Sequence, residues 1–171
     1  IEESEIPYWF PTERMPEGYN TAQPKGSHGL THVHHFYTKR NLWVLAAAYR
    51  IAKSNPQILL AVQALQVNRY SRMTRYLLGK AGNSGISGTL YVPSISAEAN
   101  IIKGVTGKVA NFKKILSGTI NNLTSCQTFG NTRVCDKSVD YVFLDPPFGS
   151  NINYSELNFL WESWLKVWTN N

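Results

Sequence analysis

The most regular pattern of hydrophobic positions lies near the C-terminal end of the chain. Six large apolar side chains recur there every three or four residues, and the polar residues between them fall off that stripe. This spacing is typical of an amphipathic helix, which we expect to begin at Ser155 and to bury its apolar face. The apolar positions are Leu157, Leu160, Trp161, Trp164, Leu165 and Trp168.

Three further helices are predicted from their start signals and periodicity. Thr38 is a suitable N-cap for a helix over about residues 39–53. Asn55 is a second cap, because the proline that follows it suits the first position of a helix. Residues 96–117 have the pattern of another helix, with two glycines in its middle and several lysines on one face.

Four short segments have the β-branched, aromatic or alternating character of strands. They are residues 30–36, 89–92, 121–127 and 139–144. The last is the clearest, because it is apolar and bounded by turn signals. Strands that alternate with helices predict an α/β fold with part of a Rossmann-like sheet.

The composition indicates a folded domain with a basic surface. Hydrophobic residues make up 43% of the 171 residues and charged residues 16%, which excludes a disordered chain. No apolar run is long enough to cross a bilayer. The net charge of +6 is compatible with a polyanionic partner. Two cysteines, Cys126 and Cys135, are typical of buried free thiols in a reducing cytoplasm.

The candidate chemistry lies where the last predicted strand ends. Asp145 follows that strand, and Pro146, Pro147 and Phe148 come next. Ligands bind beyond the carboxyl ends of strands in open α/β sheets, and two prolines stiffen a loop. The Asp145 carboxylate and the Pro146 carbonyl can both accept hydrogen bonds from an exocyclic amino group, and Phe148 can stack on its ring. The segment therefore predicts a site for a flat heteroaromatic substrate.

This Asp-Pro-Pro-Phe sequence resembles the catalytic tetrapeptide of the amino-directed DNA methyltransferases, which modify adenine N6 or cytosine N4. Residues 149–165 and 35–42 are similar to further signatures of one bacterial and archaeal branch of DNA methylases. The resemblance implies a Rossmann-like enzyme that transfers a methyl group from S-adenosylmethionine to a base flipped out of DNA, with adenine favoured. It assigns residues 145–148 to the catalytic base pocket and Tyr154 to its border.

The sequence departs from that family where the cofactor would bind. We find no hydrophobic strand followed by a Phe-x-Gly-x-Gly loop, so we expect a fragment that lacks the cofactor-binding part and methylates nothing alone. Thr38 and Asn41, at a helix N-terminus, are the candidate contacts to S-adenosylmethionine. Residues 1–29 are expected to be an irregular lead-in packed through its aromatics. Residues 30–171 would then be the target-base half of the catalytic domain, with a helical, basic insertion at about 55–118.

Basic residues interleaved with tyrosines predict contacts with DNA phosphates. We call this set the basic strip; it consists of Arg69, Arg72, Arg75 and Lys80. Lysines between residues 103 and 114 give the following helix a basic face. A cluster of three histidines has no acidic or cysteine partner at ligand spacing, so no metal site is predicted. The histidines are His32, His34 and His35.

The same sequence features are compatible with other functions. A cytosine-N4 enzyme and an RNA or protein-amide methyltransferase would use a similar tetrapeptide. A non-catalytic nucleic-acid-binding module or a degenerate domain with a structural role would use none of this chemistry. The resemblance also leaves open a restriction or defence-system partner, and the sequence does not predict the oligomeric state.

Overall fold

Helices dominate the described part of the chain. The computed structural model describes residues 5–78, 84–115, 130, 132–146 and 153–168. Its α-helices are α1 (Tyr19–His28), α2 (Lys39–Ala52), α3 (Pro56–Gln66), α4 (Ile101–Ile115) and α5 (Tyr154–Leu165), and Val33–Phe36 form a 3-10 helix. No helix within these ranges is long and apolar enough to cross a bilayer.

The predicted Rossmann-like α/β fold is wrong for these residues. The described ranges contain no sheet, and β pairing within them is limited to two isolated antiparallel bridges, Arg14 with His32 and Arg75 with Ser96. Residues 139–144, the clearest predicted strand, are exposed throughout, and the described part of the chain places no strand beside them. A strand needs a neighbour for its backbone N–H and C=O groups, and an apolar β-branched pattern cannot supply one.

The other predicted strands fail for local reasons. Val33 and Phe36 are both fully buried, and their spacing of three suits the 3-10 helix that forms there. Leu90 and Val92 are buried in alternation, as in a strand. Within the described ranges the backbone of this segment pairs with a side chain instead of a strand. The Gln23 side-chain amide accepts from the Val92 N–H at 3.1 Å and donates to the Val92 carbonyl at 3.4 Å. Residues 121–127 lie outside the described residues.

The predicted helices are confirmed, with shifted ends. The Thr38 side chain accepts from the Asn41 N–H at 3.3 Å, and the Asn55 side chain caps α3 through two N–H groups. Helix α4 begins five residues later than predicted, where the Asn100 Oδ1 accepts from the Lys103 N–H at 2.9 Å. Helix α5 ends at Leu165, because the next residue, Lys166, has a left-handed φ of 56°, so Trp168 lies beyond the helical stripe.

The lead-in is only partly irregular, because α1 forms within it. Its predicted aromatic packing is confirmed: the Trp9 ring meets the Trp164 ring of α5 edge to face at 6.2 Å. Helices α2, α3 and α4 pack against one another, and α1 packs against α5. The core side chains that are most completely buried belong to these contacts and to the segments between them; they include Phe36, Leu42, Leu45, Val62, Tyr70 and Leu160.

Candidate functional site

The residues predicted to hold the target base are described only in part. Asp145 and Pro146 are exposed at the end of the apolar segment, whereas Pro147 and Phe148 lie outside the described residues. Tyr154 begins α5 and is 43% exposed. The Asp145 carboxylate and the Pro146 carbonyl are thus accessible to a ligand. Neither residue lines either of two basic clefts within the described residues, whose cations are Arg69, Lys103 and Lys108 in one and Arg50, Lys53 and Lys166 in the other.

The two candidate cofactor contacts are engaged in the fold. Besides capping α2, the Thr38 hydroxyl donates to the Glu98 carboxylate. Asn41 is buried, and its side-chain amide donates to the Tyr70 carbonyl at 3.0 Å. Because these bonds stabilise α2 and its contacts with Tyr70 and Glu98, both residues have a structural role. Their predicted contact with S-adenosylmethionine stays a prediction.

The basic strip does not act as one surface. Arg72 and Arg75 are half-buried, and their side chains approach backbone carbonyls: Arg72 Nη1 lies 3.4 Å from the His35 oxygen, and Arg75 Nε lies 3.5 Å from the Ser84 oxygen. Only Arg69 of the described members is exposed. Lys80, the remaining member, lies outside the described residues.

Arg69 instead faces the basic side of α4. A cleft of about 450 Å³ separates the end of α3 from α4, and Arg69, Lys103 and Lys108 supply its charges. Among the described lining residues none carries a carboxylate; the uncharged ones include Tyr70, Asn100 and Asn111. We call this the α3–α4 cleft. Three cations with amide and hydroxyl groups beside them suit the oxygens of a phosphate.

One helical glycine explains how α4 comes close enough to form this cleft. A Cβ on Gly104 would lie 2.0 Å from the Tyr70 hydroxyl oxygen, so a larger residue there would push the helix away. The Tyr70 hydroxyl also approaches the Ile101 carbonyl at 3.4 Å. Burial raises the pKa of Tyr70 to about 12, and the neighbouring positive charge of Arg69 opposes that rise. Tyr70 therefore presents a neutral hydroxyl at ordinary pH.

The three histidine rings lie together, with centroids 4.4 to 5.6 Å apart. Within the described ranges no group of three or more potential ligands is arranged to hold a metal ion. Cys135 is exposed rather than buried as predicted, and Cys126 lies outside the described residues.

Comparisons of the chain with protein-family models, with curated proteins and with solved structures find no match. No family is therefore shown, and the methyltransferase assignment stays a proposal from residues 145–148 and their flanks.

Sequence reasoning missed one buried carboxylate. Glu156 lies off the apolar stripe of α5, yet it is only 7% exposed and accepts from the Asn20 N–H of α1 at 2.7 Å. Asn153 and Glu156 have the spacing of a local capping box. That signal marks the start of α5 correctly, but it gives no hint that the carboxylate caps a different helix.

Proposed function

We propose that this chain belongs to an amino-directed DNA methyltransferase, in which it binds the target base and the DNA backbone. The observation that carries the proposal is the Asp-Pro-Pro-Phe sequence at residues 145–148, which follows an apolar segment and precedes α5. The exposed positions of Asp145 and Pro146 support it, since a base must reach both residues. A cytoplasmic location, where DNA is accessible in a bacterium or archaeon, is part of the same proposal.

The target base is held through its exocyclic amino group. The Asp145 carboxylate and the Pro146 carbonyl accept its two hydrogens, which draws the nitrogen lone pair out of conjugation with the ring. Phe148 stacks on the ring, and Tyr154 borders the pocket. Adenine is the favoured base, because the acid-first, phenylalanine-last form resembles the adenine enzymes.

The methyl donor that the resemblance implies is S-adenosylmethionine, which supplies an electrophilic methyl group when bound. Because Thr38 and Asn41 are engaged in the fold, they are not proposed to contact it. The chemistry assigned to this chain is restricted to orienting the amino group.

The DNA backbone is bound at the α3–α4 cleft. Each lysine or arginine that contacts a phosphate of duplex DNA releases about 0.9 counterions, so log K falls with log salt by that slope per contact. Replacing Arg69, Lys103 and Lys108 with glutamine should therefore flatten the slope by about 2 to 3. The measurement is binding to a short DNA duplex between low and moderate salt. Lys113→Gln is the control, because Lys113 is exposed on α4 but does not line the cleft.

Catalysis is tested with Asp145→Ala in the full protein that contains this sequence. Loss of an orienting acceptor should reduce transfer of a tritiated methyl group to DNA by at least about 100-fold while leaving DNA affinity unchanged. Asp140→Ala is the matched control, since Asp140 is an exposed carboxylate on the same segment. Equal methylation by the Asp145→Ala protein would refute the catalytic assignment. DNA binding without methylation by the unsubstituted full protein would instead favour the nucleic-acid-binding module.

A further inference from the structure

A second cleft lies between the lead-in and the C-terminal ends of α2 and α5. Its volume is about 390 Å³. Its wall is aromatic: the Tyr49 ring stacks on the Trp164 ring with centroids 4.6 Å apart and planes 24° from parallel, and Trp9 meets Trp164 edge to face. We call it the aromatic cleft. Because three elements hold these rings, the wall is fixed in position before any ligand arrives.

Hydrogen bonds also hold two of these rings in place. The Tyr49 hydroxyl donates to the Gln66 side chain, and the Trp164 Nε1 donates to the Tyr37 hydroxyl at 3.2 Å. The polar ends of both rings are therefore satisfied inside the fold. Tyr49 and Trp164 are only 8% and 2% exposed, so they form the closed floor of the cleft, and Trp9 is the most exposed of the three rings. The accessible surface of Trp9 suits a flat ligand rather than one that needs hydrogen bonds to the wall.

The rim of the aromatic cleft is positively charged. Arg50, Lys53 and Lys166 line it, and none of the described lining residues carries a carboxylate. Two of these cations make cation–π contacts with aromatic rings. The Lys166 ammonium lies 3.9 Å from the Trp9 centroid, and the Arg50 guanidinium lies 5.4 Å from the Tyr8 centroid. Lys53 follows the last residue of α2 and is exposed. Three like charges around one opening repel one another, and an anion bound between them relieves that repulsion.

These two properties select one class of ligand. An apolar molecule would leave the three charges unmatched, and an inorganic anion would leave the Trp9 ring in contact with water, because that ring is 44% exposed. The volume lies in the range of pockets that bind small molecules. We propose that the aromatic cleft binds a nucleoside phosphate, with its base against the aromatic wall and its phosphate at Arg50 and Lys53. None of the residues that the methylation proposal uses lines this cleft, so the two proposals are independent.

The test is isothermal titration calorimetry of the chain with adenosine 5′-monophosphate as the probe. We expect one site with a Kd between about 10 µM and 1 mM. Replacing both Arg50 and Lys53 with glutamine should weaken binding at least about tenfold, because charge-assisted contacts to phosphate are lost. Lys113→Gln, at an exposed position of α4 that lines neither cleft, is the matched control and should leave the affinity unchanged. Adenosine and inorganic phosphate, each carrying half of the proposed ligand, should both bind more weakly than the nucleotide.

Three results would each overturn the proposal: no binding of the nucleotide up to about 10 mM, equal affinity in the double variant, or adenosine binding as tightly as its phosphate. The single variant Lys53→Gln guards against loss of the fold, since Lys53 is exposed and its side chain can change without disturbing the wall. This variant should keep the near-ultraviolet circular dichroism of the tryptophans and still bind the nucleotide more weakly.

Discussion

Removal of the Glu156 carboxylate should separate α1 from α5. This side chain is almost fully buried and accepts from the Asn20 N–H at 2.7 Å, at the N-terminal end of α1 where N–H groups have no partner within the helix. No side chain at the N-cap position of α1 makes this bond, because that position is Gly18. A hydrogen bond to a charged acceptor contributes about 1.5 to 3 kcal/mol, and the positive end of the helix dipole adds to it. We therefore expect Glu156→Ala to lower the free energy of unfolding by about 2 to 3 kcal/mol.

Gly18 provides a second, independent perturbation of the same bond. A Cβ at this position would lie 2.3 Å from the Glu156 Oε1, so Gly18→Ala must displace the carboxylate. The backbone there is extended, with φ of 179°, and an alanine adopts that conformation without strain. Gly18→Ala should consequently destabilise the protein only while Glu156 is present. In the Glu156→Ala background the same substitution should change the stability by less than about 0.5 kcal/mol.

Urea unfolding of the four proteins, followed by circular dichroism, gives the complete double-mutant cycle. A coupling energy of at least about 1 kcal/mol between the two positions is expected. The reasoning fails if Glu156→Ala unfolds within about 0.5 kcal/mol of the parent, or if the two substitutions are additive. In the first case water replaces the carboxylate at no cost, and in the second Gly18 acts through something other than Glu156. Glu156→Gln, which keeps the shape and removes the charge, should fall between the parent and the alanine variant.

Two further predictions concern the packing of α4 and the buried tyrosines. Gly104→Ala should destabilise the protein by about 1 to 3 kcal/mol in thermal unfolding, because the new Cβ overlaps the Tyr70 hydroxyl. Gly107→Ala on the same helix meets no atom within 4 Å, and should stabilise by about 0.5 to 1 kcal/mol instead. Burial raises the pKa values of Tyr37, Tyr49 and Tyr70 above their ordinary value of 10.0, so these side chains ionise more readily in the unfolded chain. The contribution of these tyrosines to stability should therefore be constant below about pH 10. Stability should then fall as the pH rises toward 12, by up to about 1.4 kcal/mol per pH unit for each tyrosine, in urea unfolding at several pH values.

Helices α2 to α5 could be predicted because their signals are local, whereas α1, which has no side-chain cap and contains Pro24, was missed. Thr38 and Asn55 satisfy N–H groups two or three residues away, and the stripe of α5 depends only on the spacing of its own residues. The sheet prediction was wrong because pairing is not local. Residues 139–144 have the composition of a strand, but the described residues place no second strand beside them. In the segment of Val92, the Gln23 side-chain amide bonds the backbone N–H and C=O groups that a neighbouring strand would otherwise pair.

The candidate sites show the same limit. The basic strip was predicted from the regular spacing of three arginines. In the structure, Arg72 and Arg75 approach nearby backbone carbonyls, and only Arg69 lines the α3–α4 cleft. Lys103 and Lys108 join Arg69 only because Gly104 lets α4 approach Tyr70. Neither the competing carbonyls nor that close approach can be read from the spacing of charges along the chain.

The distribution of charge explains why two clefts, rather than one basic face, are the places to expect anions. The chain has 17 basic and 11 acidic residues. Two acids are paired with cations that line neither cleft: Glu17 with Arg14 and Lys25, and Glu98 with Arg40. The described linings of the two clefts contain six cations and no carboxylate, three in each cleft. Their surroundings differ, because amides, a hydroxyl and glycines surround the charges of the α3–α4 cleft, whereas the other three surround stacked rings. A polyphosphate backbone needs only the first arrangement, but a ligand with a flat ring and a charge needs the second. Removing the cations of the α3–α4 cleft should therefore weaken the binding of DNA, and removing those of the aromatic cleft should weaken the binding of a nucleotide.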